Sequence, residues 1–287
     1  MKYKKNNKIA IGTAQFSNNY GITNKNFLNL NQIRYILDDC LKFKIDTIDT
    51  APEYTGVEKK IGNFDLKSFN IITKVSLMKN YKINSSDNLK KNIQSSLSNL
   101  NVKKIYAILI RNPINLLKDK KLLEVFIDFK KNKKISKIGY TIYNVEELEE
   151  LYNYFKPDIV QIPYSIVDKR FEKGKWINKM YNDGVEIHVR SVFLQGLLLT
   201  EAKSLPVNFF LYKDFFEKFE AWVEKKNISK LQACMNSLLL DKRISKIVVG
   251  INSRQSLNQV SNLEKIKLAY PKWLELNNDK LLNPSNW

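Results

Sequence analysis

Short apolar runs rich in β-branched residues recur along the chain. They are KIAIG (8–12), IDTID (45–49), FNIIT (69–73), IYAILI (105–110), ISKIG (135–139), DIVQI (158–162), VEIHV (185–189) and KIVVG (246–250). Each is short enough to be a strand and too short for a core helix. Between them lie stretches with helical spacing. In NQIRYILDDCLKF (31–43), Ile33, Ile36, Leu37, Leu41 and Phe43 share most of one face. SSDNLKKNIQSSLSNL (85–100) repeats Leu89, Ile93, Leu97 and Leu100 after a Ser/Asp start signal. NVEELEELYNYF (144–155) and SRQSLNQVSNLEKI (253–266) follow the same pattern.

Strands that alternate with helices pair in parallel through crossovers. Eight such units in 287 residues predict an α/β fold, a closed (β/α)8 TIM barrel. A doubly wound open sheet is the rival. It would carry a glycine-rich dinucleotide loop after the first strand, and IGTAQFSNNYG (11–21) has none. The longest insertion, 196–245, predicts one or two extra helices before the last strand. No Pro- or Gly-rich linker interrupts the pattern, so residues 1–287 read as a single domain.

Composition narrows the function. The net charge of +19 invites a nucleic-acid reading. However, 42 of the 48 basic residues are lysines spread along the whole chain, which is a compositional bias and not a basic stripe. The surface should instead favour small anions. The single histidine, His188, lies inside the seventh run and reads as a core residue. With one histidine and two separated cysteines, Cys40 and Cys234, no metal site is expected. No apolar run reaches the roughly 20 residues needed to span a bilayer. The N-terminal stretch has no secretory core, so a cytoplasmic protein is expected.

In a parallel barrel the chemistry gathers at the carboxyl ends of the strands. Reading just past each run gives Asp49 and Tyr54, then Lys74, then Arg111, then Thr141. Gln161 lies within the sixth run. Arg190, Ser191 and Gln195 follow the seventh, and Gly250, Ser253 and Arg254 close or follow the eighth. Three neighbouring strands thus bring a carboxylate, a phenol, an ammonium and a guanidinium to one rim. A cation beside a phenol lowers its pKa, so Tyr54 is expected to be an acidified proton donor, with Asp49 holding Lys74 in place. That set suits protonation of a carbonyl oxygen as hydride reaches its carbon.

These segments resemble the aldo-keto reductases over nearly the whole chain. DTAPEYTGVEKKIG is similar to the family pattern D-T-A-x-x-Y-G-x-S-E-x-x-L-G at Asp49, Thr50, Ala51, Tyr54, Glu58 and Gly62. ITKV carries the family lysine at Lys74. ISKIGYTIYN, VQIPYS, RSVFLQG and VVGINSRQSL resemble later segments in the family's order. The resemblance implies a barrel that binds NADPH, with NADH as the alternative, across its rim. It implies a catalytic Asp, Tyr, Lys and His. The first three map to Asp49, Tyr54 and Lys74. The fourth does not, because the motif L-L-H-N-P reads LIRNP here and Arg111 stands at the histidine's place.

Other departures are Thr55 and Val57 beside Tyr54, Ser165 in the sixth-strand motif, and Arg190 where an aromatic often stacks on the nicotinamide. Within that resemblance, Thr141, Gln161 and Ser191 are assigned to the nicotinamide end, since their amide and hydroxyl groups can bond its carboxamide, Arg190 can stack there, and Gln195 is a further cofactor-binding residue. Gly250, Ser253 and Arg254 are assigned to the adenosine phosphate. The leading expectation is an NAD(P)H-dependent reductase of a small carbonyl compound, anionic or sugar-like, with Arg111 polarising the carbonyl or gripping an adjacent anion. The alternative is a cofactor-binding barrel with lost catalysis that serves as a sensor or partner subunit.

Overall fold

The computed structural model describes residues 8–17, 28–77, 86–283 and 286–287. The basic stretch 1–7, part of the turn after the first run, and Ser85 lie outside the described residues. Eight parallel strands close into a barrel in sequence order. They are β1 (Ile9–Gly12), β2 (Thr47–Asp49), β3 (Asn70–Ser76), β4 (Ile105–Arg111), β5 (Ile135–Thr141), β6 (Ile159–Pro163), β7 (Glu186–Arg190) and β8 (Lys246–Gly250). The expected (β/α)8 barrel is the fold found. β1 pairs with both β2 and β8, which closes the ring.

Around the ring run α1 (Leu30–Lys42), α2 (Val57–Ile61), α3 (Ser86–Asn99), α4 (Lys120–Lys131), α5 (Val145–Tyr154), α6 (Arg170–Lys173) and α7 (Trp176–Asn182). The insertion supplies α8 (Lys213–Lys225) and α9 (Lys230–Leu240), and α10 (Arg254–Ser261) follows β8. Among the described residues, no helix is long and apolar enough to cross a membrane.

The apolar residues separate into two layers. The large one lies between the sheet and the helices and includes Ile33, Ile36, Ile93, Phe126, Phe171 and Phe219. The small one fills the barrel axis with Ile72, Ala107, Leu109 and Ile159. Above and below this plug the interior is polar, so both mouths can hold charge.

The sequence pattern differs from the structure in three places. Strands β3, β4 and β5 run past their apolar stretches, because Ser76 pairs with Arg111 and Arg111 with Thr141 along the parallel ladder. Lys74 and Arg111 therefore lie in strands, not after them. On α1, Leu41 is 45% exposed and Asp39 is buried instead. Asp39 accepts from Arg254 Nε at 2.6 Å and Lys42 Nζ at 2.8 Å, which lets a carboxylate take the inward position. Helix α10 ends at Ser261, five residues before the spacing predicts. Beyond it, Gln232 Nε2 donates to the Glu264 carbonyl and Ile266 N to Asn236 Oδ1, which pulls the chain onto α9.

His188 is buried on β7, as expected of a core residue, and burial pushes it below its ordinary range. At that lower mouth, burial alone would raise Glu186. Hydrogen bonds with His188, Lys137 and Tyr106 outweigh it and hold Glu186 down at about 2. A carboxyl depressed in the folded state contributes stability above its unfolded pKa, near 4.5, and loses it as pH falls towards 2. Glu186→Gln is expected to be less stable than the parent at pH 7 by about 1 kcal/mol. Its stability should also be flatter across that acid window. Urea unfolding at a series of pH values checks both.

Candidate active site

The upper mouth opens into a cavity of about 1020 Å³. Its floor follows from strand register. Ser76, Arg111, Thr141 and Gln161 succeed one another across β3 to β6, so their side chains share one row of the barrel wall. Asp49, at the end of β2, and Lys74, in β3, sit beside that row. Arg190 ends β7 and Gly250 ends β8, and all of these residues line the cavity.

Lys74 and Asp49 form the centre of the site. Lys74 is 2% exposed and Asp49 3%, and Nζ lies 2.5 Å from Oδ1. Lys74 also donates to the Thr50 carbonyl at 3.0 Å. The other Asp49 oxygen accepts from Gln161 Nε2 at 2.7 Å. The pair is thus both neutralised and hydrogen-bonded, which a buried ion pair requires. Burial pushes Lys74 below the usual lysine range and Arg111 and Arg190 add to this, while Asp49 opposes it.

Tyr54 stands in the turn between β2 and α2, with Lys74 Nζ 5.7 Å from its ring centroid. Its phenol is not acidified as the sequence suggested. Burial and the Asp49 charge raise it above the usual tyrosine range, and Arg111 and Arg190 only partly offset them. Removal from water is the largest influence, and the nearby Asp49 carboxylate adds to it. The consequence is a phenol that keeps its proton at neutral pH.

The two arginines are held differently. Arg190 donates to Ser191 Oγ and to the Ile142 carbonyl, both at 3.3 Å, and stacks 3.9 Å from the centroid of Tyr143. Arg111 lines the cavity, and its Nε is buried without an acceptor. After β7 the backbone is contorted. Ser191, Leu194 and Gln195 adopt positive φ at 58°, 46° and 54°, followed by Gly196 at 100°. Left-handed backbone at non-glycine residues costs about 1–3 kcal/mol each and clusters at functional sites. Here it carries Ser191, Gln195 and Gly196 into the cavity wall.

The description "Aldo/keto reductase family" is matched by residues 8–277. The chain belongs to the aldo/keto reductase family. Family membership and fold support an oxidoreductase function. Among solved structures, the holo form of the aldo-keto reductase AKR11C1 from Bacillus halodurans is similar over 100% of this chain and 98% of that one. Its TM-score is 0.73 at 18% identity. The apo form covers 91% and 89%, with a TM-score of 0.69 at 19% identity. At these identities the likeness is one of fold. No curated protein matches the sequence.

Set against this family frame, ten of the twelve residues singled out in the sequence share the cavity: Asp49, Tyr54, Lys74, Arg111, Thr141, Gln161, Arg190, Ser191, Gln195 and Gly250. Ser253 and Arg254 do not line it. The Ser253 hydroxyl caps α10 by accepting from Ser256 N at 3.1 Å. The Arg254 guanidinium is turned to Asp39 and lies 5.3 Å from the Tyr35 ring. Sequence reasoning missed Ser76, Tyr143, Asn252, Ser256 and Lys230, which line the cavity. Ser76 ends β3, and Tyr143, Asn252 and Ser256 follow the ends of β5 and β8, so these four were within reach of the same rule. Lys230 comes from the insertion, where no strand points to it.

Because the Lys74–Asp49 pair is buried, removing one partner leaves a lone charge out of water. Asp49→Ala is expected to cost about 3–5 kcal/mol, whereas Asp49→Leu with Lys74→Met should cost much less. Denaturant unfolding of the single and double variants checks this. Equal losses would contradict the buried-pair description.

Proposed function

We propose that the chain is an NAD(P)H-dependent reductase of a small polar carbonyl compound, working as one barrel domain in the cytoplasm. The observation that carries this reading is the Tyr54 ring beside a buried Lys74–Asp49 ion pair, all lining one cavity of about 1020 Å³. A dihydronicotinamide held there would supply the hydride. Tyr54 gives its proton to the carbonyl oxygen, and the Lys74 ammonium stabilises the phenolate that remains. Asp49 keeps Lys74 in position, and Arg111 donates towards the oxygen as negative charge develops.

The residues present fit a nicotinamide. Gln161 Oε1 is buried without a donor, which matches the N–H of a carboxamide. Thr141 and Ser191 offer hydroxyls to the same group, and the planar guanidinium of Arg190 can stack on the ring. Gln195 and Gly250 line the same cavity and would help hold the rest of the dinucleotide. A preference for NADPH loses its main support because Arg254 is engaged by Asp39. NADH suits the uncharged side chains Asn252, Ser256 and Gln259 equally well.

Tyr54→Phe removes only the proton donor. Oxidation of NADH or NADPH with a panel of aldehydes should fall at least about 100-fold. Dinucleotide binding, followed by protein fluorescence, should change by less than about two-fold, since a hydroxyl that acts in the transition state adds little to ground-state binding. Turnover that survives the substitution would remove Tyr54 from the reaction. Dinucleotide binding by the parent without turnover of any aldehyde would favour the sensor reading.

A further inference from the structure

The charges lining the cavity do not balance where the substrate carbonyl would sit. Four cations face the cavity: Lys74, Arg111, Arg190 and Lys230. Lys74 is paired with Asp49 at 2.5 Å and Lys230 with Glu220 at 2.6 Å. The remaining carboxylates of the wall are Glu147 and Glu201. Glu147 accepts from Asn144 at 3.5 Å, and Glu201 is paired with Lys203 at 2.9 Å. Neither reaches an arginine, and Glu53, at the rim, accepts from Ser76. Arg190 has two neutral acceptors and an aromatic ring, feels the buried Asp168 carboxylate, and has no carboxylate at ion-pair distance. Among the described residues, Arg111 makes no side-chain hydrogen bond or ion pair at all, and its Nε is shut away from water.

A guanidinium N–H out of water and without an acceptor is destabilising. A fold keeps such a group where a ligand supplies the acceptor. The fork of Arg111 suits a planar or tetrahedral oxyanion, which can accept two parallel N–H bonds. Arg111 stands in the same row as Thr141 and Gln161 and one strand from Lys74, so the anion it holds lies next to the reacting carbonyl.

We infer that Arg111, backed by the charge of Arg190, is an oxyanion clamp and that the substrates are small carbonyl compounds bearing a carboxylate or phosphate. The inference deepens the reductase reading and rests on it for the word substrate. The anion site itself rests on the cavity charges alone. The chain's net charge of +19 would also draw such anions to the protein, with a rate that falls as salt rises.

Two measurements test it. The first compares succinic semialdehyde with butanal, and glyceraldehyde 3-phosphate with glyceraldehyde, by kcat/KM in the parent, Arg111→Gln and Arg111→Lys. The parent should favour one anionic member over its neutral partner by about 100-fold, and Arg111→Gln should erase most of that ratio. Arg111→Lys should restore part of it, because a point charge replaces the fork. The pair that shows the preference identifies carboxylate or phosphate. The second measurement is calorimetric titration with malonate and inorganic phosphate, which needs no turnover. At least one should bind the parent and not Arg111→Gln. Neutral and anionic aldehydes reduced equally well, with a ratio that Arg111→Gln leaves unchanged, would overturn the clamp and spare the reductase reading. Arg111-dependent binding of malonate or phosphate without reduction of any aldehyde would overturn the reductase reading and support the clamp.

Discussion

One buried ion pair sets the terms for everything at the upper mouth. An ammonium group inside a barrel wall is several kcal/mol less stable than in water unless its charge is met. Lys74 meets Asp49 from the neighbouring strand and the Thr50 carbonyl, and Asp49 is met in turn by Gln161 from across the barrel. Three strands, β2, β3 and β6, are thereby tied through side chains as well as through the ladder. The pair sits beside a small apolar cluster of Ile72, Ala107, Leu109 and Ile159, and it lines the cavity above.

With Lys74 paired to Asp49, the two arginines are the cations of the mouth that no carboxylate pairs at ion-pair distance. Burial governs Tyr54 and keeps its proton on, while the two arginines pull the other way. A histidine at position 111 would be uncharged near neutral pH unless perturbed, whereas an arginine is always charged. The replacement therefore changes the kind of ligand the mouth favours, towards one that brings negative charge. It leaves the proton donor in place.

The barrel was legible because β-branched runs and amphipathic spacings alternate eight times with few interruptions. Asp49, Lys74 and Arg111 were legible because charge beside or within an apolar strand needs a reason. Other features depend on partners far away in sequence. Arg254 follows β8 as an anion-binding residue might, yet Asp39, 215 residues earlier, captures it. Leu41 falls on the apolar face by spacing, but the same Asp39 takes the inward place once Arg254 and Lys42 satisfy it. The direction of the Tyr54 shift could not be read from neighbouring charges because it depends on burial, which only the folded chain defines.

The most direct test of this account is the ionisation of Tyr54 itself. Tyrosine labelled with 13C at the ring carbon bearing the hydroxyl gives one resonance per residue, and Tyr54→Phe assigns the one that matters. The account predicts that the Tyr54 signal stays at its phenol position throughout titration to pH 10, the ordinary tyrosine midpoint. A Tyr54 midpoint below about 8, two units under the unperturbed value, would mean that the cations prevail over burial and would contradict the central claim.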